Sequence, residues 1–120
     1  MSGEVKRWVE GVTLSTLFLS AITILEVEIG AQRVARRDHK QGDQLVRWIE
    51  RGLMSAFAGR IIPVDIAIAR RSAALHVPDP RPERDALIAG TALVHGFIVV
   101  TRNVRDFSKM GVAVINPFEA

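Results

Sequence analysis

Three acidic residues that lie far apart in the chain each stand beside a structural landmark. Glu26 comes four residues before Gly30, and Asp85 opens an otherwise apolar run. Asp106 follows soon after the apolar run 97–100. Carboxylates at strand ends and on helix faces of an α/β fold can converge into an oxygen-ligand site for Mg²⁺ or Mn²⁺. Together the three acids predict a metal site suited to hydrolysing phosphodiester bonds.

Each acid also has an ordinary structural explanation. Asp85 could simply interact with the dipole of the helix that it begins, and Glu26 could be a solvated helix residue. Asp106 could cap a turn. As a set the acids are harder to explain in this way, because clustered carboxylates repel one another and need a cation or a shared proton. Thr101 and Asn103 could hydrogen-bond a ligand or water at the same rim.

The composition fits one domain with a hydrophobic core and excludes thiol chemistry. The chain has 120 residues, 48% of them hydrophobic, and is expected to form a single domain over 1–120. It contains no Cys, which excludes disulfides, thiolate catalysis and Cys-based zinc sites. The absence of Cys also suits a reducing compartment, so a cytoplasmic location is expected.

The charge is modestly positive, and arginine carries most of it. Lys and Arg total 16 against 13 Asp and Glu, and 13 of the 16 cations are Arg. Arg favours planar, bidentate contacts, so a polyanion or an acidic partner is as plausible as an Arg-rich solvated surface. No apolar run approaches the roughly 20 residues that span a bilayer, so no membrane association is expected. The apolar-rich stretch 13–24 is expected to be a buried strand.

Strands and helices are predicted to alternate in the first half of the chain. An amphipathic helix at the N-terminus is indicated by the i, i+3, i+4, i+7 spacing of Val5, Trp8, Val9 and Val12. The elements that follow are a strand at 17–22, a helix from about Thr23 that carries Glu26, and a helix at 43–57 ended by Gly59. Trp8 and Trp48 lie on helical stripes and are expected in the core.

The same alternation continues in the second half. Its predicted elements are a short strand at 60–64, a helix capped by Asp65 and running to Leu75, a loop at 77–82, a helix at 83–95 ended by Gly96, and strands at 97–101 and 112–115. This order indicates βαβ units and a mainly parallel sheet, which binds ligands at the carboxyl ends of its strands.

A specific set of motifs runs through nearly the whole chain. Its parts are 19–23 with Glu26 and Gly30, 57–65, 85–89 with Thr91-Ala92 and His95-Gly96, 101–103 with Asp106-Phe107, and 116–118. In this order the chain resembles a PIN-domain ribonuclease of the VapC or FitB type, the toxin half of a bacterial toxin–antitoxin pair. The resemblance implies an α/β fold with three α/β/α layers and a mainly parallel sheet.

The resemblance also implies a metal-dependent endoribonuclease. Glu26, Asp85 and Asp106 would be the catalytic, metal-binding acids, and Thr101 and Asn103 would be their neighbours near the substrate. Proteins of this family cleave RNA with Mg²⁺ or Mn²⁺, usually act as homodimers and are neutralised by a co-expressed antitoxin. RNA, a cognate antitoxin and a second copy of the chain are therefore the expected partners.

The chain departs from the family pattern at its start. Such proteins open with a strand that ends in Asp-Thr-Asn and lies between the strands that match 17–22 and 97–101. Here residues 1–8 match the helix that follows, so the resemblance implies an N-terminally truncated PIN-like domain without its first acid. Weak metal binding and impaired cleavage are expected. A start assigned too late, a decayed toxin, direct closure of the flanking strands and a strand supplied by a partner stay open as explanations.

Two functions other than RNA cleavage stay open. The chain could be a non-catalytic interaction protein, or a degenerate toxin that binds an antitoxin through apolar helix faces such as the one bearing Trp8. It could also be a phosphate-binding module that uses Arg33, Arg36 and Arg37. The missing acid favours the interaction protein or degenerate toxin. The phosphate-binding module would require RNA binding with a steep salt dependence.

Overall fold

The computed structural model describes residues 3–118, which divide into two compact units. The first unit contains the described residues up to Thr16 together with those from Val64 onward, and the second is Leu17–Pro63. Each unit has its own helices and its own pair of strands. The single domain expected over 1–120 stays a prediction.

Short strands separate longer helices along the chain. In order, the elements are α1 (Gly3–Glu10), a 3₁₀ turn (Leu14–Thr16), β1 (Leu19–Ser20), α2 (Ala21–Arg37), α3 (His39–Arg47), a π-helical segment (Trp48–Leu53), α4 (Met54–Ala56), β2 (Ile61–Ile62), α5 (Ile66–Leu75), α6 (Glu83–His95), β3 (Val99–Val100), α7 (Val104–Ser108) and β4 (Val114–Ile115). The helix predicted at the N-terminus is confirmed by α1, in which Trp8 is half-buried. The side chains of Val5 and Val9, which helped to predict it, lie outside the described residues.

In the second unit, α2 begins earlier than predicted because Ser20 caps it. The Ser20 hydroxyl accepts a hydrogen bond from the amide two residues further on, at 3.0 Å, which satisfies one of the free amides of the first turn. The strand predicted at 17–22 is therefore too long, since the helix starts at Ala21. The strand expected across 13–24 is also wrong, because Leu14–Thr16 forms the 3₁₀ turn.

The helix predicted at 43–57 is confirmed, although its middle is π-helical. Ile49 lies on its inward stripe and is only 2% exposed, and Gly59, at φ 78°, follows the end of the helix as predicted. Trp48 is 55% exposed, so its expected core position is wrong. Its neighbour Ile49 is buried instead. The two side chains cannot both face the core, because successive residues of a helix point in directions about 100° apart. The Trp48 indole instead covers Gly52, where an added Cβ would lie 3.4 Å from the ring.

The contact of α2 with α3 depends on a glycine. Asp38 ends α2 and caps α3, since its side chain accepts a hydrogen bond from the Gln41 amide at 3.1 Å. Gly42 is buried in the first turns of α3, where an added Cβ would overlap both the backbone and the side chain of Ala35. A larger residue at this position would force the two helices apart.

In the first unit, α5 and α6 pack together and both match their predicted bounds. Asp65 caps α5 as predicted, because its Oδ1 accepts a hydrogen bond from the Ile68 amide at 2.9 Å. Gly96, at φ 69°, ends α6 in the left-handed conformation that favours glycine. Gly90 on α6 lies against the Ser72 hydroxyl on α5, so the closest approach of these helices uses small residues.

The core of the first unit is formed by one face of α6 together with β3, α7 and the segment before β4. Its buried members are Ala86, Ala89, Ala92, Val99, Phe107, Met110 and Val112. The helix α7 corrects the sequence analysis, which expected only a turn around Asp106. Five residues are too few to show a helical repeat, and the burial of Phe107 holds this short helix in place.

Both sheets are minimal. In the second unit β1 pairs in parallel with β2, and in the first unit β3 pairs in parallel with β4. The parallel direction predicted for the strands is confirmed, while the strands at 97–101 and 112–115 are shorter than predicted. In the described part of the chain neither sheet has a third strand. None of the described helices is long and apolar enough to cross a bilayer.

Gly42→Ala should lower the free energy of unfolding by about 1–3 kcal/mol, because the added methyl group would overlap Ala35. Gly30→Ala is the matched control. Gly30 lies inside α2 with nothing within 4 Å of an added Cβ, so alanine there should stabilise the chain by about 0.4–1 kcal/mol. Urea unfolding followed by circular dichroism measures both variants. Equal effects of the two substitutions would contradict the close contact of α2 with α3.

Candidate functional site

Asp85 is presented by the first turn of α6. The helix begins after Pro82, which provides no side-chain cap, and the acids of its first turn are Glu83 and Asp85. Negative charge is favourable there because the free amides of a helix N-terminus carry partial positive charge. The next residue, Ala86, is completely buried, so core packing holds Asp85 half-buried at the rim of the first unit.

Asp106 is held by the turn that leaves β3. The Thr101 hydroxyl accepts a hydrogen bond from the Asn103 amide at 3.0 Å, which fixes the turn. The Asn103 side-chain NH₂ then donates to the Asp106 Oδ2 at 2.9 Å. This hydrogen bond orients the carboxylate and leaves its other oxygen for a ligand. The structure therefore brings together three of the predicted site residues, Thr101, Asn103 and Asp106, at the carboxyl end of β3.

Asp85 and Asp106 influence each other electrostatically. Partial burial is the main cause that raises the pKa of Asp85, and the negative charge of Asp106 raises it further. The Arg84 guanidinium acts in the opposite direction and offsets part of the rise. Two carboxylates that are not paired with each other thus share the region between α6 and α7. Like-charge repulsion of this kind is what nearby carboxylates are expected to show.

Glu26 lies on α2 in the second unit, where it is exposed. One helical turn further on, Gly30 has nothing within 4 Å of an added Cβ. The presence of Glu26 on a helix, rather than in a loop, is as predicted. Its meeting with Asp85 and Asp106 around a single metal ion stays a prediction.

The donors at Asp85 and Asp106 suit a hard divalent cation. Both supply carboxylate oxygen, the ligand that Mg²⁺ and Mn²⁺ prefer, and a bound cation would remove the repulsion that raises the pKa of Asp85. Among residues 3–118, no group of three or more His, Asp or Glu side chains is arranged to hold a metal ion. Asp85 and Asp106 are the two predicted acids that lie in the first unit, and their role as metal ligands stays a prediction.

One contact near this region was not predicted. The Arg102 guanidinium lies 3.9 Å from the centre of the Phe118 ring, a cation–π contact that ties the C-terminal segment to the residue after Thr101. The Phe118 amide donates to the Asn116 side-chain oxygen at 2.9 Å and so holds the ring in position. The only sequence signal for this contact was the motif at 116–118, whose role could not be read without its partner.

The family model for the PIN domain matches residues 2–113. The chain belongs to the PIN domain family. It is 33% identical to the VapC ribonuclease Y4jK of Sinorhizobium fredii, with 96% of this chain and 84% of that protein covered. It is also 33% identical to Toxin FitB of Neisseria gonorrhoeae, with 96% of this chain and 85% of that protein covered. Plasmid stability protein StbB of Pseudomonas syringae pv. tomato is 34% identical, with 99% of this chain and 88% of that protein covered.

Solved structures support the same assignment for this PIN domain. The crystal structure of FitAcB from Neisseria gonorrhoeae matches with a TM-score of 0.91 at 30% identity, covering 99% of this chain and 88% of that chain. A toxin–antitoxin complex from Klebsiella pneumoniae matches with a TM-score of 0.72 at 30% identity, covering 100% and 88%. The PIN-like α/β fold and the resemblance to VapC and FitB toxins are therefore confirmed.

Asp85→Asn should stabilise the PIN domain at neutral pH, because it removes a charge that burial and Asp106 disfavour. Since the pKa of Asp85 is raised in the folded chain, its contribution to stability is present in acid and is lost as the pH rises through that pKa. The melting temperature of the variant should exceed that of the wild type at pH 7 by on the order of 2 °C, and the difference should vanish in acid.

Glu83→Gln is the control for this measurement, because it neutralises an acid in the same helical turn. Glu83 is exposed, and its charge favours the helix N-terminus, so its neutralisation should not raise the melting temperature. A lower melting temperature for Asp85→Asn than for the wild type at pH 7 would show that the Asp85 charge is favourable. The repulsion between the two acids would then be too weak to matter.

Proposed function

We propose that this PIN-domain chain is a metal-dependent endoribonuclease, the toxin component of a toxin–antitoxin pair. The observation that carries the proposal is the proximity of Asp85, in the first turn of α6, to Asp106 on α7: burial raises the pKa of Asp85, and the charge of Asp106 raises it further. Oxygen donors that repel each other form a set that a hard divalent cation can join. Two relatives agree with this function by name, a VapC ribonuclease and Toxin FitB.

The metal ligands in this proposal are Glu26, Asp85 and Asp106. When bound, Mg²⁺ or Mn²⁺ would acidify a coordinated water and stabilise charge on the phosphodiester. Asn103 acts through Asp106 as a positioning residue, since its NH₂ occupies one carboxylate oxygen. Thr101 supports that position by holding the Asn103 amide. Because no group of three acids or histidines among residues 3–118 is arranged to hold a metal ion, we expect the ion to bind weakly and cleavage to be impaired.

RNA is the proposed substrate, and arginines beside the acids are suited to its phosphates. Arg84 already acts on the charge of Asp85, so its guanidinium lies near the candidate metal site. Arg105 precedes Asp106 on α7 and is exposed. A guanidinium can contact a phosphate through two parallel hydrogen bonds. These two residues could therefore hold the RNA backbone while the acids act on one phosphodiester bond.

An antitoxin and a second copy of the chain are the proposed protein partners. The similar structures include FitAB bound to a DNA fragment and a toxin–antitoxin complex from Klebsiella pneumoniae. A ribonuclease in the cytoplasm, the proposed location, would act on the RNA of its own cell. A protein that blocks its acids would allow the cell to tolerate it, which is the role proposed for the antitoxin.

A second candidate function is that of an interaction protein without catalysis. It is favoured by the absence, within the described residues, of any group of three metal-binding side chains. The 55% exposed Trp48 also favours it, because large exposed aromatic side chains often contact partner proteins. In this function the chain would bind an antitoxin and leave RNA intact.

Cleavage of RNA in Mn²⁺ distinguishes the two functions. We expect slow cleavage by the wild type, none after chelation of the metal, and a loss in Asp85→Asn and Asp106→Asn greater than the roughly 10–100-fold that loss of an outer-shell partner causes. Glu83→Gln is the matched control and should retain cleavage. Equal cleavage by wild type and Asp85→Asn would remove the site assignment. No cleavage by the folded wild type would favour the interaction protein.

The third proposed ligand is tested by Glu26→Gln, with Glu28→Gln as its control on the same helix. If Glu26 shares the metal with the other acids, Glu26→Gln should abolish the rise in melting temperature that Mn²⁺ causes in the wild type, whereas Glu28→Gln should retain it. Thermal unfolding with and without Mn²⁺ provides this readout independently of activity. Equal Mn²⁺ stabilisation of both variants would exclude Glu26 from the ligand set.

A further inference from the structure

The loop between α5 and α6 is closed by a histidine side chain. His76 ends α5, where its own amide donates to carbonyls of the last helical turn. Five residues further on, the Arg81 amide donates to the His76 Nδ1 at 3.0 Å. Because an amide N–H can only donate, the ring nitrogen that faces it must accept and carries no proton. The side chain of His76 therefore acts as an acceptor and not as a cation at the helix end.

Prolines make this hydrogen bond important for the loop. Three of the residues in 77–82 are prolines, which have no amide hydrogen to donate. The Val77 amide bonds back to the Ala74 carbonyl at 3.4 Å, within the end of α5. The Arg81 amide is the last donor before α6, and His76 is its acceptor. The His76 side chain thus ties the end of α5 to the residue that leads into α6.

The backbone after Arg81 passes this restraint on to α6. Pro82 has φ −55°, which its ring fixes, and its carbonyl accepts a hydrogen bond from the Ala86 amide at 2.9 Å in the first turn of the helix. A proline also restricts the conformation of the residue before it. The Nε of Arg81 is buried and has no hydrogen-bond partner within residues 3–118, so it offers no substitute for the backbone contact.

We propose that His76 is a positioning residue for Asp85: by accepting the Arg81 amide, it fixes the start of α6 and thereby the place of that carboxylate. The inference rests on the proposed function, in which Asp85 is a metal ligand. α5 is a firm base for His76, because it packs closely on α6 where Ser72 meets Gly90. Ligands must be held to a fraction of an ångström for a metal site to work, so a looser first turn weakens the site.

Hydrogen exchange of backbone amides, followed by NMR on the full chain, tests the hydrogen bond itself. Asn and Leu have nearly the same shape, but the Asn Oδ1 can accept where the histidine Nδ1 does and a Leu methyl group cannot. In His76→Leu we expect the amides of Arg81 and Ala86 to exchange about fivefold faster than in the wild type, because one hydrogen bond is lost. His76→Asn should restore exchange close to the wild-type rate.

His95→Leu is the control, since it removes a histidine from the opposite end of α6. It should leave the exchange of both amides unchanged, and circular dichroism checks that each variant folds. Equal rates in His76→Leu and the wild type would overturn the proposal. Equally fast exchange in His76→Leu and His76→Asn would overturn it too, because the effect would then come from packing of the ring and not from its acceptor.

Stabilisation by Mn²⁺ tests whether the hydrogen bond serves Asp85. His76→Leu should need roughly 3–10-fold more Mn²⁺ than the wild type for the same rise in melting temperature, a smaller effect than loss of an outer-shell partner of a metal ion causes. His76→Asn should need the wild-type amount. An unchanged Mn²⁺ requirement in His76→Leu, despite faster amide exchange, would overturn the proposal.

Failure of the proposed function would give a different result. A wild type that Mn²⁺ does not stabilise and that leaves RNA intact would contradict the metal site at Asp85. Amide exchange depends on neither metal nor RNA. Faster exchange in His76→Leu, with rescue in His76→Asn, would then still support the hold of His76 on the first turn of α6, and unchanged exchange would overturn it.

Discussion

The partial burial of Asp85 close to the charge of Asp106 is the constraint on which the candidate site depends. The two carboxylates come from α6 and α7; burial is the main cause that raises the pKa of Asp85, the charge of Asp106 adds to the rise, and Arg84 offsets part of it. The burial of Ala86 and Phe107 holds both helices in place, so the acids cannot simply move apart. A folded chain keeps such an unfavourable pair only when packing elsewhere offsets it, which is typical of functional sites.

Packing of helices through small residues provides that stability, because the sheets are too short to do so. Gly42 lets α3 approach α2 at Ala35, and Gly90 lets α6 approach α5 at Ser72. The strands contribute two residues each, and each sheet has two strands. Membership in the PIN domain family explains the order of these elements.

The two candidate acids of the first unit come from different elements of this PIN domain. Asp106 lies on α7, just after the carboxyl end of β3, where ligands of parallel sheets usually bind. Asp85 comes from the first turn of α6, where the free amides of the helix favour a negative charge.

Local signals in the sequence determined the helices and their ends. These signals act within a few residues of their own position: Asp65 caps α5, Gly96 ends α6, and an i+4 apolar stripe runs through Ile49. For this reason α5, α6 and the helix at 43–57 were predicted. The identity of the candidate acids was also readable from the sequence. Only the tertiary structure decided the length of the strands, the formation of α7, the exposure of Trp48 and the raised pKa of Asp85. Each of these depends on neighbours distant in sequence, because strands exist only where a partner strand pairs with them and a charge is perturbed only by what packs around it.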